Sequence, residues 1–177
     1  MRSFANFAGF QLAWWASVLG AARGAAWIGV LACSAFVALQ WIGSSQRRLD
    51  ARLVACALLL GIVLDGALGQ LGWIVYRGGE GAPVPAWIVA LWGAFAMTLT
   101  HSLGWLRPGA AFLLGAIGGP LAYLGAARLG AVELVDSTQA TIALAIGWAV
   151  ATCVLTLVAR HARGTAPVPP LAMGGSR

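Results

Sequence analysis

Six long apolar runs, at 4–20, 25–42, 53–76, 84–103, 109–127 and 139–159, leave this chain few ways to fold. Arginine, glycine, proline and serine fill the breaks: Arg23-Gly24, GSSQRRLDAR (43–52), YRGGEGAPVP (76–85), WLRPG (105–109) and RLGAVELVDS (128–137). Of the 177 residues 60% are hydrophobic and only 9% charged. A soluble domain carries about a quarter charged residues, so this chain cannot cover its own surface with polar groups. Each run approaches the roughly 20 residues that a helix needs to cross hydrocarbon. Lipid offers the backbone no hydrogen bonds, which forces such segments into helices. The expected fold is therefore all-α. A polytopic membrane bundle of about six transmembrane helices forms one integral domain over 1–163, followed by a disordered cytoplasmic tail at 164–177.

Charge sets the expected orientation. The net charge of +6 comes from eleven arginines, no lysine and five acids. With the N-terminus inside, Arg2, Arg47, Arg48, Arg52, Arg107, Arg160, Arg163 and Arg177 fall on the cytoplasmic side. Arg23, Arg77 and Arg128 fall outside. Eight against three, alternating over six spans, puts both termini in the cytoplasm. The first run has a superficial match to a cleaved signal, but Asn6, Gln11 and Trp14-Trp15 interrupt it, so it is read as a retained span. Arginines between membrane runs serve topology, and no nucleic-acid partner is expected. Cys33, Cys56 and Cys153 sit singly in apolar runs and read as small buried hydrophobes.

Polar side chains inside lipid need a partner or a purpose. At 1.5 Å per residue, His101 lies about 9 Å from the Arg107 boundary, and Thr98 about 14 Å. Asn6 and Gln11 lie at roughly 6 and 14 Å from Arg2, and Gln40 at about 10 Å from Arg47. These residues share one layer in the cytoplasmic half. Thr98, His101, Ser102 and Trp105 also stand at i, i+3, i+4 and i+7, one face of a helix. Two readings stay open: a packing histidine satisfied between helices, or a polar pocket formed by Asn6, Gln11, Gln40, Thr98, His101 and Ser102, with His101 as candidate acid, base or ligand.

Asp65 lies mid-span, about 20 Å above Arg52. An ionised carboxylate is costly there, so a protonated or hydrogen-bonded state is expected. Direct pairing with His101 is not expected, given the difference in depth. Gly61, Gly66 and Gly69 would let another helix approach, which favours a structural hydrogen bond; an ion or proton path is the alternative. Gly20 with Gly24, Gly115 with Gly119 and Ala126 with Gly130 stand at helix-contact spacing. Pro120 should kink or break the fifth span near Tyr123. Trp41, Trp73, Trp87 and Trp105 read as an interfacial belt. No metal and no cofactor is expected, because a single membrane histidine with no acid at its depth offers too few ligands.

Several blocks together resemble one bacterial membrane family. These are Asn6-Phe7 with Gln11 and Trp14, the mid-span Asp65, PAWIVALWGAF, Thr98 to Trp105 with His101-Ser102, and GGPLAYLGAARLGA. The family is domain of unknown function 2878. The resemblance implies a small polytopic inner-membrane protein with a link to lipid metabolism, and it carries over no catalytic or binding residues. Three functions compete. An accessory or binding protein with a lipid ligand or a membrane-protein partner needs only packing and the polar layer. A lipid enzyme needs His101 as acid or base, and a transporter needs Asp65.

Overall fold

Each apolar run becomes a helix, but the helices do not begin and end where hydropathy alone puts them. A computed structural model describes residues 2–79 and 81–164. The elements in order are α1 (Arg2–Ala22), α2 (Trp27–Ile42), α3 (Arg47–Gln70), β1 (Ile74–Tyr76), α4 (Ala86–Thr100), α5 (Pro108–Arg128), β2 (Val132–Leu134) and α6 (Ser137–Gly164). The fold is all-α as expected, apart from one short ribbon. The tail expected at 164–177 lies, beyond Gly164, outside the described residues. Three helices, α3, α5 and α6, are long and apolar enough to cross a membrane. Two more, α2 with 16 residues and α4 with 15, are apolar but shorter.

The third run shows the largest displacement, since α3 starts at Arg47 rather than 53 and stops at Gln70 rather than 76. Arginine, leucine and alanine all favour helix, and Asp50 in the first turn complements the positive end of the helix dipole. Beyond Gly72, the segment Ile74-Val75-Tyr76 is β-branched and aromatic and leaves the helix for a strand. It pairs antiparallel with β2, with Ile74 opposite Leu134, Val75 opposite Glu133 and Tyr76 opposite Val132. Backbone bonds from Val135 N to Trp73 O and from Arg77 N to Ala131 O extend the ribbon, each at 3.0 Å.

Successive helices run up and down. The α1–α2 turn, the ribbon and the α3–α4 and α5–α6 connections share one end, where Gly78 packs against Ala26. The α2–α3 turn, the α4–α5 turn and the end of α6 share the other, where Arg163 reaches over Gly104. Small residues set the helix separations. A Cβ at Gly29 of α2 would stand 2.6 Å from Ser17 Cα of α1, and Cβ atoms at Gly115 and Gly119 of α5 would overlap Trp148 of α6. Close backbone approach is what binds helices where lipid removes the hydrophobic drive.

Four sequence expectations are corrected. Gly24 and Gly130 are not helix contacts: both adopt positive φ, 75° and 80°, in turns that end α1 and α5. Of the kink or break expected at Pro120, the break does not occur: α5 is continuous from Pro108 to Arg128 with Pro120 buried inside it. Trp87 is no belt residue: it is 1% exposed and donates to Arg77 O at 2.9 Å, whereas Trp41 and Trp105 face outward. The fourth helix stops at Thr100, three residues short of the expected end.

The glycine packing gives a direct test. Gly115→Ala should lower stability by about 1–3 kcal/mol through overpacking on Trp148. Gly118→Ala, whose added carbon meets no atom within 4 Å, should be neutral or slightly stabilising. Thermal melts in detergent compare the two; equal melting temperatures would contradict the packing.

Candidate functional site

Leu53, Ala57, Gly61 and Asp65 recur every four residues along α3 and are all buried, so they form its inward face. Asp65 is fully buried on that face. Its Oδ1 accepts from the Tyr76 hydroxyl of β1 at 2.9 Å and from the Tyr123 hydroxyl of α5. Its Oδ2 accepts from Trp92 Nε1 of α4 at 2.7 Å. One turn earlier, Gly61 leaves room for the Trp92 ring, which a methyl group would overlap. Three donors from three elements thus converge on one carboxyl group. Sequence reasoning singled out Asp65 and its glycines but not Tyr76 or Trp92. Their separations of 11 and 27 residues show in no local pattern.

The expected face of Thr98, His101, Ser102 and Trp105 does not form, because the backbone leaves the helix at His101 (φ −110°, ψ −83°). Hydroxyl partners explain the exit. The Thr100 hydroxyl donates to Asp50 Oδ1 at 2.6 Å, and the Ser102 hydroxyl donates to Asn6 Oδ1 at 2.6 Å. These bonds compete with continued helix and send the following turn toward α1 and α3. Asn6 also donates weakly to Met97 O at 3.5 Å, while Thr98 bonds locally to Phe95 O. Gln11 and Gln40 are half-buried, and among the described residues no hydrogen bond joins either to this group.

His101 has an acidic neighbour after all. Its Nε2 lies 3.7 Å from Asp50 Oδ2, with Asp50 1% exposed and the imidazole 25%. Neither atom has a hydrogen-bond partner among the described residues. The expectation of no acid at the depth of His101 is therefore overturned, and the early start of α3 is the reason. GSSQRRLDAR reads as a loop, yet its second half is helix and turns Asp50 inward. Asp50 is the residue that the sequence analysis missed here; its signal was an acid in a helix first turn, three residues before a run of apolar residues. Among the described residues, no group of three or more His, Cys, Asp or Glu could hold a metal ion.

Between α1, α4, α5 and α6 lies a cavity of about 440 Å³. Phe7, Phe10 and Trp14 of α1 face Trp92 and Phe95 of α4 and Trp148 of α6 across it. Trp92 and Trp148 stack at 4.2 Å and 17°, so the indole that serves Asp65 also forms the cavity wall. Polar side chains on the lining are few, Gln11 and Thr98 among them. Phe7, Leu114 and Leu121 line the cavity and are also exposed on the outer surface, which opens it sideways between α1 and α5. The i, i+3, i+7 spacing of Phe7, Phe10 and Trp14 was the available sequence signal.

Residues 3–154 match a family model described as Protein of unknown function (DUF2878). No curated protein and no solved structure matches the chain.

Removing the Asp65 acceptor should be severe. Asp65→Ala leaves two phenols and an indole N–H without a partner, and a stability loss of about 3 kcal/mol or more is expected. Asp65→Asn, which keeps one acceptor oxygen and the shape, should lose less. A melting temperature for Asp65→Ala equal to wild type would show that the three donors find other acceptors.

Proposed function

We propose that this chain, which belongs to the DUF2878 family of proteins of unknown function, is a membrane-embedded binding protein that takes an apolar ligand, a lipid chain, into its aromatic cavity. The cavity carries this reading. Ligand pockets are commonly about 300–1,000 Å³, mostly apolar, with a few polar groups that fix orientation. Aromatic rings give a large contact area with little conformational freedom to lose. The sideways opening past Phe7, Leu114 and Leu121 gives a molecule in the bilayer a route in without crossing water.

In this reading the protein is a multi-pass protein of a bacterial inner membrane, with six spans and both ends in the cytoplasm. The arginine distribution supports that orientation. At 15 residues α4 is about 22 Å long, shorter than the roughly 30 Å hydrocarbon core. The turns that flank it, or a locally thinned bilayer, make up the difference.

The Asp50 contact favours a second reading, in which His101 is a general acid or base acting on a lipid head group. Thr100 holds Asp50, and Asp50 in turn can fix the orientation of the imidazole. A transporter that uses Asp65 has less support, since both carboxyl oxygens already serve as acceptors for residues of three other elements.

Gly118 tests the cavity. It lies on the lining, and a side chain there would project into open space. Wild type extracted in mild detergent should carry a bound lipid by native mass spectrometry; Gly118→Phe should melt at the same temperature and lose most of it. Identical lipid content in both would refute the cavity reading. For the second reading, a deletion strain complemented with His101→Ala should accumulate the protein yet fail to restore the wild-type lipid profile; full restoration would make His101 a packing residue.

A further inference from the structure

At the end of the bundle opposite the ribbon is a second recess, of about 760 Å³, unused by either reading above. Arg47, Arg48 and Arg52 of the first turns of α3 line it together with Arg163 from the last turn of α6, and Ser44 and Ser45 complete the rim. We propose that this cleft binds a phosphate group, as a phosphoester head group or the free anion.

Charge is the first argument. Four arginines from two elements line one recess, and no acid is among the lining residues. Like charges held together repel, and an anion removes that repulsion. The described acids do not provide it. Glu133 and Asp136 lie at the ribbon end and Asp65 is enclosed in the bundle, while Asp50, buried behind the rim, is taken up by Ser44, Thr100 and His101. No Asp or Glu side chain occurs in the sequence of 165–177.

Unused donors are the second. Arg47 donates to Ile42 O at 2.8 Å, while Arg48, Arg52 and Arg163 have no hydrogen bond or ion pair among the described residues. Arginine is the side chain suited to grip phosphate oxygens in pairs. The start of α3 adds to this, for its N-cap Gln46 makes no side-chain capping bond, so the first-turn N–H groups and the positive end of the helix dipole face the same region. Orientation in a membrane needs arginines at this end but does not need them in one recess. Arg107, exposed at the same end and absent from the lining, shows the difference.

The full chain in neutral maltoside micelles provides the test, with dihexanoyl phosphatidic acid and inorganic phosphate as probes and calorimetry as the readout. Phosphatidic acid is expected to bind, and to bind more weakly as salt rises. Arg48→Gln and Arg163→Gln should each weaken it about tenfold, the worth of one charge-assisted contact. Arg107→Gln should leave it unchanged, and so should Gly118→Phe, which separates this cleft from the cavity. Equal affinity for inorganic phosphate identifies a site for the free anion, whereas binding of the phospholipid alone identifies a head-group site; either supports the proposal. It is overturned if neither probe binds, or if Arg107→Gln weakens binding as much as Arg163→Gln, which would make the attraction one of diffuse surface charge. All these arginines except Arg163 are exposed, and Arg163 is half-buried, so the variants are expected to fold.

Discussion

A carboxyl group with access to neither water nor lipid head groups must find its donors inside the protein, and Asp65 finds three of them. The Tyr76, Trp92 and Tyr123 side chains come from β1, α4 and α5, so one residue of α3 fixes the positions of three other elements. Most of the remaining geometry follows from that convergence. Gly61 must be small so that Trp92 can reach Asp65, and Trp92 so placed can stack on Trp148 of α6. Trp148 in turn sits against Gly115 and Gly119, which brings α5 and α6 together. A polar interaction in an apolar medium thus orders a chain of aromatic and glycine contacts, each of which alone is weak.

The aromatic cavity is a by-product of the same order. Indoles and phenyl rings that meet at fixed angles do not fill space as aliphatic side chains do, and the room left over lies beside Trp92 and Trp148. The two ends of the bundle then differ in chemistry. Backbone pairing closes the ribbon end, while the other has hydroxyl and amide bonds, the Asp50–His101 contact and the arginine recess.

Sequence made the six helices legible, because apolar runs of this length admit little else, and it picked out Asp65 and the glycines beside it. Asn6 and Ser102, read as parts of one polar layer, do meet. It could not show the histidine's partner. Asp50 stands in a charged decapeptide that looks like a loop, and only the inward face of α3 reveals that it points at His101. The helical face drawn through His101 and Trp105 failed for a related reason: periodicity carries no notice that Thr100 and Ser102 bond to other helices and end α4. The ribbon was hidden because Ile74, Val75 and Tyr76 are as apolar as the helix before them.

The ribbon's position decides how the bundle can deform. It ties the loop after α3 to the loop after α5 through a run of backbone bonds, and these are far harder to lengthen than side-chain contacts. At the far end, α5 is joined to the rest by the α4–α5 turn and by packing alone. The α5–α6 hairpin is therefore held at both ends, by backbone pairing at the ribbon and by the chain itself at the α4–α5 turn, whose Ser102 also bonds Asn6 of α1.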